Sequence, residues 1–443
     1  MQPIVASTRP NERTNDALRQ INTQNTVGNA HSAMQKTNSA TFTPRTLLIQ
    51  ILQQRRTARK DVTEWIVSEL DTVKDMLPTE LNNANYGKPT RWMAQALLAK
   101  IYLNWNVYTG GDITAYDPAT ANVKLADCIA ACDDIIKSGL FDLTDDYKTK
   151  FNPNNGPQIK DFIYAIPYTA ADKDGNDYGR YHTWRRGQND GNGGPGLYNA
   201  ALTNSCAGCF MMNPDFSDLF NLPGDRRNDC IYGNDPDGVV YQYGADYEKT
   251  DIPTYYKGEL VKMKKTITLA EITDPNGNKI PMGPEYDHLD VGANMTGWTQ
   301  GWISNKYCLN ASDYNTYGRS NSNDVPVFRY ADILLMKAEA ILRGGSATNG
   351  DDPMSLFNQI RSYVNAPLLS SGPSLQDILD ERGREFFDEG WRRNDMIRFG
   401  QFENDTWLIH TINPDAGNRN WRIFPIPVSV MNSNTNWKQN PGY

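Results

Sequence analysis

The sequence predicts a mainly α fold, a scaffold of helix hairpins that carries a large irregular insertion of loops and short strands. Two observations predict it. Apolar residues recur at three- and four-residue spacing in segments near both ends of the chain. Between them, residues 140–325 are broken every few positions by Gly, Asn, Asp or Pro, and their apolar runs are short.

Taken in order, residues 1–56 are polar and weakly patterned, with Leu47-Leu48-Ile49 and Ile51-Leu52 as their one strong apolar cluster. They receive no assignment. From Asp61, the series Val62, Trp65, Ile66, Leu70, Val73 and Met76-Leu77 reads as an amphipathic helix stopped by Pro78. Thr90 is placed to cap a second helix running to Tyr102–Trp105, whose Ala94, Ala96 and Ala99 allow close packing. A third helix spans about 124–138, and Gly139 suits its C-terminal cap. Residues 57–139 thus form the N-terminal helical repeats. The insertion 140–325 holds two strand candidates, Phe162–Ile166 and Val239–Tyr241, and a third at Ile303–Leu309, where Tyr307 is expected in the core. Residues 326–443 return to helix at Tyr330–Leu342, near 354–364, 375–388 and 391–399, before a Pro-punctuated tail. Residues 57–443 are expected to form one compact domain.

Composition narrows the function. A net charge of −8, with no long run of Lys or Arg, works against nucleic-acid or anionic-membrane binding. Four His, none at ligand spacing from another, disfavour a His-based metal site or triad. Six Cys in 443 residues make no dense disulfide framework. Cys128 and Cys132 fit as small apolar residues within a helix. Cys206-Ala-Gly-Cys209 reads as free thiols or a local disulfide, with a bond to Cys230 or Cys308, or a metal, as alternatives. No run of about 18 apolar residues occurs, and no basic–apolar–small series marks a secretory signal. Tyr and Trp, 23 and 10, outnumber 14 Phe, so the aromatic complement favours rings with a polar handle.

Three motifs carry a family resemblance. Phe328-Arg-Tyr-Ala-Asp-Ile-Leu-Leu-Met-Lys-Ala-Glu-Ala340 resembles the R-x-A-D-x-L-L-x-x-A-E-A helix of the SusD/RagB family. The block from Asp380-Glu-Arg to Ile397-Arg-Phe-Gly400 is similar to its E-R-x-x-E-x-x-x-E-G-x-R-x-x-D-x-x-R-x-G pattern. Phe424-Pro-Ile-Pro427 and Gln439-Asn-Pro-Gly-Tyr443 resemble its closing motifs. Two features depart from the family: no Cys that could be acylated precedes Cys128, and residues 1–56 lack its aromatic-rich first helix pair. The resemblance implies a tetratricopeptide-like scaffold, a surface position on the outer membrane, a SusC-like TonB-dependent transporter as partner, and non-catalytic capture of oligosaccharide. The rivals are a glycoside hydrolase and a helical scaffold that binds only protein.

The charged block tests the enzymatic rival. Glu381, Glu385 and Glu389 stand at i, i+4 and i+8 among Arg382, Arg384, Arg392 and Arg398, a spacing suited to ion pairs rather than to acid–base chemistry. Bidentate pairs are expected to tie this block to the Arg329/Asp332 helix, with Glu339 as a buried partner of an arginine. Asp190–Gly196 lacks the Lys-Ser/Thr of a phosphate loop. Asp172, Asp174 and Asn176 resemble the start of a calcium loop, but Gly175 comes fourth and Thr183 stands where the closing Glu belongs; a turn is the simpler reading, calcium the alternative. No cofactor is required. For a sugar, flat rings can cover the pyranose faces while amides and carboxylates bond the hydroxyl rim. Two clusters fit: Tyr178, Tyr181 and Trp184 with Asn189 and Asp190, and Trp298 and Trp302 with Gln300. Core packing is the competing explanation for each ring.

Overall fold

The computed structural model describes residues 56–172, 175–176, 211–244, 247–256, 258–265, 276–278, 301–403, 417–433 and 436–443. The chain divides into two compact units: residues 60–418, and a second that contains residues 56–59 and 419–443.

In the larger unit the helices form where the apolar spacing places them. Helix α1 (Arg59–Val73) runs on into a single 3₁₀ turn to Met76 and ends as Leu77 becomes extended before Pro78. Helix α2 (Arg91–Leu103) starts at Thr90, whose hydroxyl accepts the N–H of Met93. Helix α3 (Leu125–Ser138) ends at Gly139, which takes φ +64°, a left-handed value that costs glycine little. Helix α4 (Tyr330–Leu342) packs against α2, α3, α5 (Pro353–Tyr363) and α6 (Leu375–Glu385), and α6 leads to α7 (Arg392–Arg398). Capping boxes at Asp352/Ser355 and Ser374/Asp377 start α5 and α6. One face of α4 (Ile333, Met336, Ala340) shares a core with Leu98, Cys128, Cys132 and Ile135. Its other face (Leu334, Leu335, Ala338) packs on Leu356, Phe357, Ile360 and Ile378. Residues 331–340 are buried all round, so the polar members of α4 must find partners inside the protein. The fold is the expected helix-rich one.

The insertion rests on this scaffold through an antiparallel ladder of β1 (Phe162–Ile166) with β8 (Val325–Arg329). Beyond it the pairs are small: β2 (Ile231–Tyr232) with β7 (Ile303–Ser304), β3 (Tyr241–Tyr243) with β4 (Lys249–Pro253), and β5 (Tyr255–Tyr256) with β6 (Glu259–Leu260). Two expected strands differ. The Val239–Tyr241 strand begins two residues later, because Val240 donates to Val261 and accepts from Thr254, two separate segments. The strand from Ile303 stops at Ser304, because Asn305 donates its N–H to Cys230 and Lys306 turns inward. Tyr307 is buried, as expected, edge-on to Phe151.

Side chains replace ladders elsewhere. The Asn323 amide donates to the carbonyls of Phe151 and Cys308, and that of Asn155 to Lys150 and Asp324. The Asn321 side chain accepts the N–H of Asn310. Such bonds satisfy backbone groups that irregular chain would otherwise leave buried without partners. Cys128, Cys132, Cys230 and Cys308 are free thiols, so the bond considered between the 206/209 pair and Cys230 or Cys308 does not form. Burial raises the Cys230 thiol to about 12.

In the second unit the closing motifs hold each other. The Gln439 side chain accepts the N–H of Ile426 and donates to its carbonyl. Asn440 donates to Phe424 and accepts from Arg56, and the Tyr443 hydroxyl donates to Ile423.

Among the described residues, two large networks hold buried charges, and Lys337 pairs separately with Asp133. In the first, Arg329 donates to Asp161 and Glu385 at 2.7 Å each and to both oxygens of Glu389 at 2.8 Å. Lys150 pairs with Asp161, Lys306 with Glu389, and Arg227 with Asp225, Glu381 and Glu385. In the second, Asp332 pairs with Lys100 and Arg382, Asp395 with Arg382 and Arg398, and Glu339 with Arg398 and Arg343. The three glutamates do not share one continuous helical face: α6 ends at Glu385, and Glu389 returns to Arg329 through a turn at Asp388, φ +60°. Removing one partner of such a set strands the others in low dielectric. Glu385→Ala should therefore lower stability by roughly 3–5 kcal/mol in urea unfolding, whereas Glu64→Ala, in an exposed pair with Lys60, should cost less than about 1 kcal/mol.

Candidate functional site

Of the ring residues singled out from sequence, Trp302 lies within the described structure. Its backbone carbonyl accepts the N–H of Met212 at 2.7 Å, and the β2–β7 ladder beside it fixes its direction. The indole packs between two apolar clusters, one holding Val261, Met263 and Ile303 and the other Met212, Phe220 and Ile231. It remains half-buried. Gly233 makes room for it: with φ +85°, a Cβ here would lie 2.6 Å from the Met263 Cβ and 3.1 Å from the indole Cδ1. The Lys265 ammonium sits 5.5 Å from the ring centroid and is ion-paired with Asp218. Part of Trp302 thus does packing work, and the remainder is open to solvent.

Tyr178, Tyr181, Trp184, Asn189, Asp190, Trp298 and Gln300 lie outside the described residues, as does Asp174. Asp172 and Asn176 are described. Asp172 accepts the N–H of Gly175, closing a reverse turn. Asn176 is buried, exchanges two backbone hydrogen bonds with Asn321, and donates its amide to Asn323 at 2.8 Å. Gly175 lies tight on Ser320, where a Cβ would approach to 2.6 Å. The turn is pinned to residues 320–323, and Asn176 serves as one of the pins. Among the described residues no cluster of His, Cys, Asp or Glu could hold a metal ion.

Asp324 closes the same corner. Its carboxylate accepts from the Tyr86 hydroxyl at 2.7 Å and from the Tyr168 N–H at 2.8 Å. Burial nevertheless outweighs both bonds and raises its pKa to about 6. Two rings that sequence reasoning passed over are more exposed than Trp302's neighbours: Tyr255 on β5, at 57%, and Tyr317 after a short helix, at 45%. Neither carries a local signal, since Tyr255 follows a strand and Tyr317 a short helix.

The carboxylates of the charged block are spent on structure. Burial opposes ionisation of Glu381, but Arg227, Arg384 and Arg361 hold it at about 2. Burial likewise opposes Asp395, and Arg382, Arg398 and Lys100 hold it at about 2. Neither group can act as a proton donor near neutral pH.

The family model described as the SusD family matches residues 160–443. That span runs from β1 through the insertion to the closing motifs. The chain belongs to the SusD family. Among curated relatives it is 34% identical to the starch-binding protein SusD of Bacteroides thetaiotaomicron over 155 residues, 34% of this chain and 27% of the relative. It is 23% identical to the SusD-like protein P2 of Formosa agariphila over 88% of this chain and 66% of that protein. The chain thus spans between about a quarter and two thirds of the curated SusD-type relatives it matches. Among solved structures, a SusD homolog from Bacteroides thetaiotaomicron superposes with a TM-score of 0.58 at 20% identity, covering 88% of this chain and 72% of that one. A laminarin-binding SusD-like protein gives 0.54 at 21% identity, with 86% and 69% covered. These likenesses show the SusD-type helical fold.

Asp324 gives this corner a pH signature. Its folded pKa lies above its unfolded value near 4, so the native state holds the proton more tightly and stability from this group falls as pH rises between about 4 and 6. Asp324→Asn, whose oxygen can accept from the Tyr168 N–H and whose amide can donate to the Tyr86 hydroxyl, should be free of that loss. Its stability relative to the parent should rise by about 1–3 kcal/mol between pH 4 and pH 7 in urea titrations; a pH-independent difference would refute the assignment.

Proposed function

We propose that this protein binds oligosaccharide at the bacterial cell surface without cleaving it and passes it to a SusC-like TonB-dependent transporter in the outer membrane. The observation that carries this reading is the family match over 160–443, which includes the ring-bearing insertion. The names of its relatives, starch-binding and laminarin-binding, support a glucan or a related glycan as ligand. A half-exposed indole held by a glycine and a ladder suits stacking on a pyranose face, because the ring needs no further ordering on binding. Tyr178, Tyr181, Trp184 and Trp298 would supply further stacking rings, with Asn189, Asp190 and Gln300 at the hydroxyl rim. Burial and pairing of the 380–400 carboxylates support capture rather than hydrolysis. The family resemblance implies attachment through a lipid anchor; no helix among the described residues is long and apolar enough to cross a membrane.

Affinity-gel electrophoresis against starch, laminarin and other polysaccharides, with reducing ends assayed in parallel, tests the proposal. Retention by one glycan class without release of reducing ends is expected. Trp298→Ala with Trp302→Ala should weaken retention at least tenfold at about 1 kcal/mol per ring, with the helical circular dichroism preserved. Unchanged retention would reject these rings as the site, and released reducing ends would establish a hydrolase. A folded protein retained by no glycan would favour a scaffold that binds only protein.

A further inference from the structure

A cleft of about 190 Å³ opens on the helical scaffold between the end of α2, the loop through residues 116–122 and the start of α6. Leu103, Val107 and Leu375 give it apolar walls, and two arginines, Arg343 and Arg398, are its charged members. Among the described residues no carboxylate lines it, in a chain whose net charge is −8.

The two arginines differ. Arg398 is fully engaged: its Nε and Nη2 donate to Glu339, Nη2 also to Asp395, and Nη1 to Asn104. Arg343 donates through Nε to Glu339 at 2.7 Å, but its Nη1 has a single long contact, 3.5 Å to the Pro118 carbonyl. Its Nη2 is buried and finds no acceptor. Nη2 is sealed from solvent, so Nη1, whose single contact is long, is the nitrogen of this guanidinium with donor capacity left for a ligand. The charge balance agrees. In the network that Arg343 joins, the four cations Lys100, Arg343, Arg382 and Arg398 face the three carboxylates Asp332, Glu339 and Asp395. One positive charge is left unmatched, and Arg343, with 11% of its side chain accessible, is the member nearest solvent. The volume exceeds that of several waters, which leaves room for a carboxylate or sulfate and the group that bears it.

We infer that this cleft is an oxyanion site in which Arg343 receives a carboxylate or sulfate group, either free or carried on a sugar. The neighbouring polar groups are already committed: Tyr116 donates to the Arg398 carbonyl, and Asn106 to Thr120 and Ala121. Recognition thus falls to the guanidinium.

The test is calorimetric titration of the full chain with sodium sulfate, sodium galacturonate and galactose, at constant ionic strength set by sodium chloride. Saturable binding of sulfate and galacturonate, weakened at least tenfold in Arg343→Gln, is expected. Binding of galacturonate alone with the same dependence also supports the site and assigns it to sugar-borne carboxylate. Binding of neither anion, equal binding of galactose and galacturonate, or unchanged affinity in a folded Arg343→Gln overturns the inference. Should Arg343→Gln not fold, Ala121→Phe, which fills the cleft from an exposed position, must abolish binding for the inference to stand.

Discussion

The fold depends most on one guanidinium. Arg329 is the last residue of β8 and the cap residue of α4, and its side chain reaches Asp161 at the start of β1 and Glu385 and Glu389 at the end of α6. Three pieces of chain distant in sequence thus share one charge. Lys306 adds a fourth, since its ammonium joins Glu389 and the carbonyls of Glu385 and Phe387. An apolar core could hold these segments together, but dispersion is indifferent to small slides. Forked hydrogen bonds to fixed carboxylates specify position and angle. That is the contribution expected of a buried network whose net energy is offset by desolvation. The insertion, whose longest ladder is five residues, lacks the regular pairing that would otherwise set its register on the helices.

The same need for position explains the buried asparagines. Asn155, Asn176, Asn321 and Asn323 each bind backbone groups on another segment, doing for irregular chain what ladders do for strands. They lead the chain to the segments that bear the proposed stacking rings. A glycan-binding loop must be irregular to fit its ligand and rigid to avoid an ordering cost. Side-chain-to-backbone bonds provide both.

Helices were legible in the sequence because periodicity, Thr90 and Gly139 act within a few residues of one another. The charged block was legible as structure because glutamates at four-residue spacing among arginines have few other uses. Its partners were only partly legible. Arg227 pairs with it across more than 150 residues, Asp161 joins it only through Arg329, and nothing local marks either. The short strands failed for the same reason: Val240 and Asn305 bond to segments that no window around them contains. Exposure was the least legible property. Trp302 and Tyr307 are five residues apart in a similar setting, yet one is half-buried and the other sealed against Phe151. The difference lies in Gly233 and Met263, which meet Trp302 only in three dimensions.

Two opposed electrostatic behaviours follow from where carboxylates sit. Glu381 and Asp395, held at about 2 by arginines and Lys100, stabilise the fold above their ordinary range, and that stability is lost as pH falls toward 2. Asp324, with no cation against it, is raised to about 6 by burial and contributes least at neutral pH. The contrast separates the helical scaffold from the corner that anchors the insertion. Glu381 and Asp395 are held by arginine partners and stay ionised through any mild pH. The corner relies on hydroxyl and amide donors that do not fully offset desolvation. Ion pairs fix the scaffold, and hydroxyl and amide donors fix the corner without a counter-charge.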